Sequence, residues 1–239
     1  MPTGPGRYPG VSCALVSSQY THRVNTIYGS GVHPLLSLAL LEAVQGLDEP
    51  TPDEFQEYHE DLSTKRLGMS RTVAVQIDRL AALARSRGRV AAEELIALLR
   101  LIGRRHDAEL VFSDAGRRAG RHAVNRAGRR IPGLLHVLPQ ALRNRAGFTL
   151  AQRTARTVFG ATLRRADGIA DATLEDAPSA RATESGMACA FYGAGLAEML
   201  RLLTDFDGAL FHVACRTRGE RACVWRAAPE PGCEEEAAA

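Results

Sequence analysis

A chain of 239 residues has room for one sizeable hydrophobic core or two small ones. Its 45% hydrophobic content suits a globular protein, aromatic residues are scarce at 5%, and the formal net charge is +3. No apolar run reaches the ~18 residues of a membrane span.

The opening MPTGPGRYPGVSCALVSSQYTH has no sustained apolar stretch behind a basic one, which argues against a signal peptide. Residues 1–30 hold Gly, Pro, Ser and Tyr without a clear period and read as an irregular arm. His33 to Gln45 is apolar enough for a buried helix, stopped by Gly46. Thr51-Pro52-Asp53-Glu54 has the capping residue, proline and acids of a helix start, and that helix should run to Lys65. Ser70 caps the next helix, in which Val73, Ile77, Leu80, Ala81 and Ala84 form an apolar stripe ended by Gly88. Another helix is expected over Ala91 to Arg104.

From Ala108 to Ala127, the small residues Ala115, Ala119, Gly120 and Ala123 would let a neighbouring helix approach closely, and Arg130-Ile131-Pro132 should break the helix. Two short helices follow, Leu134 to Arg145 and Leu150 to Phe159, and then a hairpin turning at Asp167-Gly168. A helix after Met187, strands at Ala209 to Ala214 and Ala222 to Ala227, and an acidic tail from residue 229 complete the chain. Helices first, then hairpin, helix and two strands, predict an α+β fold. The chain divides into an arm (1–30), a helical N-terminal extension (31–70), a main domain (71–228) and a tail (229–239).

Lys65 is the sole lysine, so the positive charge is arginine. Arginines crowd between Arg104 and Arg165, where only Asp107, Glu109 and Asp114 oppose them. Guanidinium forks suit carboxylates and phosphates, so an acidic ligand or an anionic membrane surface are both plausible attractions, beside a merely solvated helix face. Nucleic acid is disfavoured because no stacking aromatics interleave the arginines.

The five cysteines, odd in number and unevenly spread, fit a reducing cytoplasm rather than a disulfide framework. Three of them, with one histidine, form the most pointed pattern in the chain. Cys189, His212, Cys215 and Cys223 read Cys-x22-His-x2-Cys-x7-Cys. Thiolate and neutral imidazole are the ligands zinc prefers, and four of them close a tetrahedral site. Buried small apolar residues are the alternative reading of such cysteines. His212 and Cys215 are an odd number of positions apart, so a flat strand would send them to opposite faces. A shared metal therefore requires the strand to bend or end near Val213.

The run Cys189, Phe191, Gly193, Gly195, His212, Cys215, Gly219 and Cys223 resembles the C-terminal half of the 4-vinyl-reductase (4VR) domain family. Phenol-sensing members carry zinc at this spacing, with a glutamate where this chain has His212. The resemblance covers roughly Arg71 to Ala228 and implies an antiparallel sheet flanked by helices, related to Bet-type subunits of vesicle-trafficking complexes. It also implies a homodimer and a hydrophobic ligand held between helices and sheet. The order AGRRAGRHAVNRAGRRIPGLLHVLPQAL, from Ala115 to Leu142, is similar to the bacteriochlorophyll-biosynthesis members. Their tryptophan-containing stretch has no counterpart here, where Thr154 to Ala161 reads TARTVFGA.

Gly193 and Gly195 lie in a helix and lack the third glycine of a dinucleotide fingerprint, so they read as packing residues. A Cys3His site uses every zinc position, so it is structural. His122 and His136 fall where family members line a ligand cavity; His136 can serve as an axial ligand to a chlorophyll-type magnesium, as a hydrogen-bond donor or as a core residue. Arg129 and Arg130 are placed to meet an acidic group. The expectation is a zinc-containing carrier or accessory factor for a tetrapyrrole of the chlorophyllide type in bacteriochlorophyll biosynthesis, touching pathway enzymes or the membrane surface. The alternatives are a divinyl chlorophyllide 4-vinyl reductase or a sensor domain for small aromatic ligands.

Overall fold

The computed structural model describes residues 31–49, 68, 70–128, 139–166, 169–204 and 206–228. The helix expected over residues 51–65, the break at residues 130–132, and Cys13 and Cys233 lie outside these.

The first helix, α1 (Pro34–Asp48), is buried on nearly every side, as its run of Leu and Ala requires. His33 caps it by accepting the Leu35 N–H on Nδ1 at 3.2 Å. Gly46 does not stop α1, which continues to Asp48. The Asp48 carboxylate is held by the Gly68 N–H at 2.8 Å and by both terminal nitrogens of Arg105 at 2.7 and 3.1 Å. Those bonds secure the last turn. Helix α2 (Arg71–Arg85) is capped by Ser70, whose Oγ accepts from the Val73 N–H, and buries Val73, Leu80 and Ala84. Helix α3 (Ala92–Ile102) buries Leu95, Ile96, Leu99 and Ile102. The buried residues of α1 belong to the same continuous core as those of the later elements.

Helix α4 (Ala108–Gly128) turns the small face expected of it towards a later helix, α7 (Cys189–Leu203). A Cβ on Gly120 would lie 2.7 Å from the Gly195 carbonyl oxygen, and one on Gly116 would strike the carbonyl of Phe191. The two backbones approach this closely only because both contact positions are glycine.

The two short helices expected over 134–145 and 150–159 are not what the structure contains. A single helix, α5 (Gln140–Thr154), runs straight through Gly147 and ends in one π turn over Ala155–Phe159. Gly147 is a contact point, not a break: a Cβ there would collide with the Leu203 carbonyl oxygen at the end of α7. Gly160, at φ +70°, ends the π turn.

The strands are β1 (Thr162–Ala166), β2 (Ile169–Leu174), β3 (Ala209–Ala214) and β4 (Cys223–Ala228), the last shifted one residue from expectation. They form one antiparallel sheet in the order β1-β2-β4-β3. Ala166 pairs with Ile169, so β1 and β2 form the hairpin expected, while its turn residues Asp167 and Gly168 lie outside the described residues. A short helix, α6 (Pro178–Ala182), that the residue pattern did not announce precedes α7. The architecture is thus mixed: helices plus a small four-stranded antiparallel sheet. Gly193 on α7 faces the Trp225 ring of β4, where an added Cβ would lie 3.1 Å from the indole, so this glycine packs helix on sheet.

Candidate functional site

The four residues of the Cys-x22-His-x2-Cys-x7-Cys pattern converge. Their ligand atoms all lie within 4.8 Å of one another, and the cluster can hold a metal ion. Cys189 opens α7, after a turn in which its N–H reaches the Gly186 carbonyl at 2.9 Å. Gly186 has φ +72°, and a Cβ there would press within 3.0 Å of both Cys215 Sγ and Thr217 Oγ1. Glycine is needed for both reasons. Cys215 leaves the end of β3 and Cys223 begins β4. Between them the chain makes a short 3-10 turn, Arg216–Arg218, and reverses at Gly219 with φ +89°.

The parity problem of His212 and Cys215 is solved where it had to be. His212 pairs with Trp225 and Ala214 with Val224, so the register slips across Val213 as a β-bulge. A bulge inserts one unpaired residue and re-aims the side chains beyond it. His212 and Cys215 can then face the same centre.

Three sulfur separations define the centre: Cys189 to Cys215 and to Cys223 at 3.9 Å each, and Cys215 to Cys223 at 4.0 Å. All three cysteines are buried. The Nε2 atom of His212 is buried with no hydrogen-bond partner, an arrangement that costs free energy unless something occupies it. Its ring stacks on Trp225, with centroids 5.0 Å apart and planes 16° from parallel. Hydrogen bonding by the Cys189 thiol holds the Cys223 thiol down at about 5, with the Arg216 N–H, His212 and Cys215 assisting against burial. The same bond, followed by burial, pushes the Cys189 thiol upward. Without a cation, the cluster thus favours thiolate at Cys223 and thiol at Cys189.

Two hydroxyls support the sulfurs and escaped the reading of the residues. Ser179 Oγ lies 3.2 Å from Cys189 Sγ, and Thr217 Oγ1 lies 3.1 Å from Cys215 Sγ. Thr217 was legible in principle, since it sits two positions after Cys215 inside the Cys-x7-Cys loop. Ser179 was not, because it arrives on the unannounced α6.

The other candidate residues are not gathered here. His122, on α4, bonds the Glu42 carboxylate of α1 through Nε2 at 2.6 Å, a tie between two core helices. Arg129, Arg130 and His136 lie outside the described residues. Two adjoining cavities do exist elsewhere, of about 350 and 510 Å³, both lined by His33, Arg89, Thr157 and Val158. The smaller is also lined by Tyr192, whose ring lies 6.1 Å from that of Trp225, beside the metal cluster. Among the described residues no helix is long and apolar enough to cross a membrane. The chain matches no protein-family model, no curated protein and no solved structure.

Proposed function

We propose that this chain is a zinc-clipped, non-catalytic module that binds a hydrophobic anionic small molecule. The observation that carries the reading is the Cys189, His212, Cys215 and Cys223 cluster. Zinc bonded to sulfur at ~2.3 Å in a tetrahedron places its sulfurs about 3.8 Å apart. The separations of 3.9, 3.9 and 4.0 Å match that edge, and the partnerless Nε2 of His212 supplies a nitrogen donor. Three thiolates and an imidazole complete the shell, which leaves no position for water or substrate. Zinc here would fasten the start of α7 to β3 and β4, and so fix one wall of the ligand-binding body.

The mixed helix-and-sheet frame and the Cys189 to Cys223 pattern support a place among 4VR-type domains. On that resemblance the ligand is a tetrapyrrole intermediate of the chlorophyllide type, and the chain is a homodimeric, cytoplasmic carrier or accessory factor in bacteriochlorophyll biosynthesis. Its arginines would favour contact with a pathway enzyme or an anionic membrane surface. A reductase would need an electron source and a proton donor beside the vinyl group, and no cofactor fingerprint is readable in the chain. A second reading, a sensor of small aromatic molecules, is favoured by one observation: cavities of about 350 and 510 Å³ are of a size for one or two rings.

The test is an anaerobic incubation of metal-analysed protein with divinyl chlorophyllide and NADPH, read by absorption and chromatography. A shifted absorption band without ethyl product is the expected result. More than one equivalent of product would make the chain an enzyme, and an unshifted spectrum would remove the tetrapyrrole.

A further inference from the structure

Several arginines of this protein are paired with carboxylates. Arg105 bonds Asp48 and Asp107, Arg118 bonds Asp114, Arg181 bonds Glu93, Arg201 bonds Glu198, and Arg226 bonds Asp171. Of the arginines without a carboxylate partner among the described residues, four come together at one cavity. Arg85, Arg87, Arg89 and Arg126 line the cavity of about 510 Å³, together with His33, and no Asp or Glu lines it among the described residues. Arg85, Arg87 and Arg89 form no ion pair among the described residues. Arg126 donates only to the Ala84 carbonyl oxygen at the end of α2.

Helix ends explain half of this. Arg85 and Arg126 lie in the last turns of α2 and α4, where a cation suits the negative end of the helix dipole. Arg87 and Arg89 lie beyond the helix and gain nothing from it. Arg87 also sits at φ +60°, a left-handed conformation that favours glycine, although Gly88 stands next to it in the sequence. The cations come from separate elements, so their mutual repulsion at this cavity is a product of the tertiary fold. After burial itself, Arg126 and Arg89 help hold His33 neutral.

The adjoining cavity of about 350 Å³ supplies what an anion's uncharged body would need. Leu36, Val158, Phe159, Leu174 and Pro178 line it, and its charged lining residues are Arg89, Arg156, Arg181, Glu175 and Asp176, of which Asp176 is paired with Arg216 and Arg181 with Glu93. Tyr192 lines it too, fully buried and with a hydroxyl that has no hydrogen-bond partner. A buried hydroxyl without a partner is uncommon and is explained when a ligand supplies the acceptor. The π turn Ala155–Phe159 contributes Thr157 and Val158 to both cavities, and single π turns inside helices recur at functional sites.

We propose that the two cavities form one site for a small organic oxyanion, a carboxylate or phosphate ester on a ring-sized apolar body. The charged group lies among Arg87, Arg89 and Arg126, where guanidinium forks offer several charge-assisted bonds. The body lies on Val158 and Phe159, and a polar atom on it accepts from the Tyr192 hydroxyl. This deepens the ligand-binding role proposed above by naming its site, and it rests on that role.

The test is calorimetric titration of the full-length, metal-loaded protein with phenylacetate, phenyl phosphate and neutral 2-phenylethanol, followed by displacement of bound chlorophyllide by the better anion. Either anion should bind at least tenfold more tightly than 2-phenylethanol, and the tighter of the two distinguishes carboxylate from phosphate. Arg87→Gln combined with Arg89→Gln, both exposed, should weaken anion binding tenfold or more and leave 2-phenylethanol unchanged. Tyr192→Phe should weaken the anion severalfold without lowering the melting temperature, since the hydroxyl has no partner to lose. Equal affinity for anion and alcohol, unchanged binding in the double arginine variant, or no heat with either anion would overturn the site. Chlorophyllide binding that neither anion displaces would also overturn it, while leaving the general binding role intact. Anion binding without chlorophyllide binding would support the site and remove the tetrapyrrole.

Discussion

The metal cluster and the arginine-lined cavity treat buried polarity in opposite ways. At the cluster, three sulfurs and an imidazole close on one another from α7, β3 and β4, and the two supporting hydroxyls approach only the sulfurs. At the larger cavity, like charges from α2, α4 and the segment after α2 are brought together with nothing of opposite sign among the described lining residues, the acids Glu175 and Asp176 lining only the smaller one. On the readings proposed above, one cation would complete the first arrangement and add to the folding energy, and an anion would complete the second as a matter of binding.

That contrast is open to direct attack, and the largest effect should come from the metal side. Metal-binding energy in a site absent from the unfolded chain is folding energy, worth about 10–16 kcal/mol in zinc-finger peptides at neutral pH. Cys215→Ser, or strong chelator, should therefore lower the melting temperature severely, and elemental analysis should find about one zinc per chain. Metal-free protein whose melting ignores chelator would erase the distinction between the two regions.

A substitution that touches neither region sets the scale for ordinary packing. Gly147→Ala forces a methyl group against the Leu203 carbonyl oxygen, backbone against backbone. Overpacking of this kind costs about 1–3 kcal/mol, and more where backbone must move. Urea denaturation would measure it, and a loss well under 1 kcal/mol would mean that α5 and α7 can slide apart easily.

Asp48→Asn tests a polar pair that is complete without any ligand. It weakens two charge-assisted bonds to Arg105, which is partly exposed, and keeps an acceptor for the Gly68 N–H. The expected loss is about 1.5 kcal/mol, discounted for solvent screening around the guanidinium. Equal stability of the variant would show that Asp48 adds nothing to the hold that Asp107 already has on Arg105.

A further test is a pH dependence on the cavity side. Burial first, then Arg126 and Arg89, lower His33 to about 4 from an ordinary value of 6.5. The unfolded chain therefore binds the proton more readily, so folding stability rises with pH across that window. The contribution is fully present above about 6.5 and is lost as the pH falls through about 4. His33→Asn retains a capping acceptor for the Leu35 N–H and does not titrate, so denaturation midpoints measured between these limits should flatten. An identical slope in wild type and variant would show that the cationic cavity exerts no field on its histidine.

Much of the architecture was legible because its signals are local. The Ser70 cap, the stripe from Val73 to Ala84, the turn pair between β1 and β2, and the small face of α4 each act over a few residues. The four residues that could hold a metal were legible as a set for a related reason: their residue types are rare, and Cys215 and Cys223 share one short loop. Even the bulge at Val213 could be demanded in advance, since side chains alternate across a strand and His212 and Cys215 differ in parity. Where the residues misled, a local rule met a distant neighbour. Gly147 and Gly46 read as breaks, yet both are helical: one makes room for the Leu203 carbonyl, and beyond the other, α1 is held to Asp48 by Arg105.

What the sequence determined by itself was the inventory: an α+β order, a Cys3His set with the ligand types of zinc, and an excess of arginine with few acids around it. Which arginines stand alone was decided by tertiary structure. Arg105 and Arg126 look equivalent along the chain, but helix packing carries one to Asp48 and the other to the end of α2 beside Arg87 and Arg89. Charge is a property of a residue, whereas the potential at a cavity is a sum over groups whose separations exist only once the helices have docked.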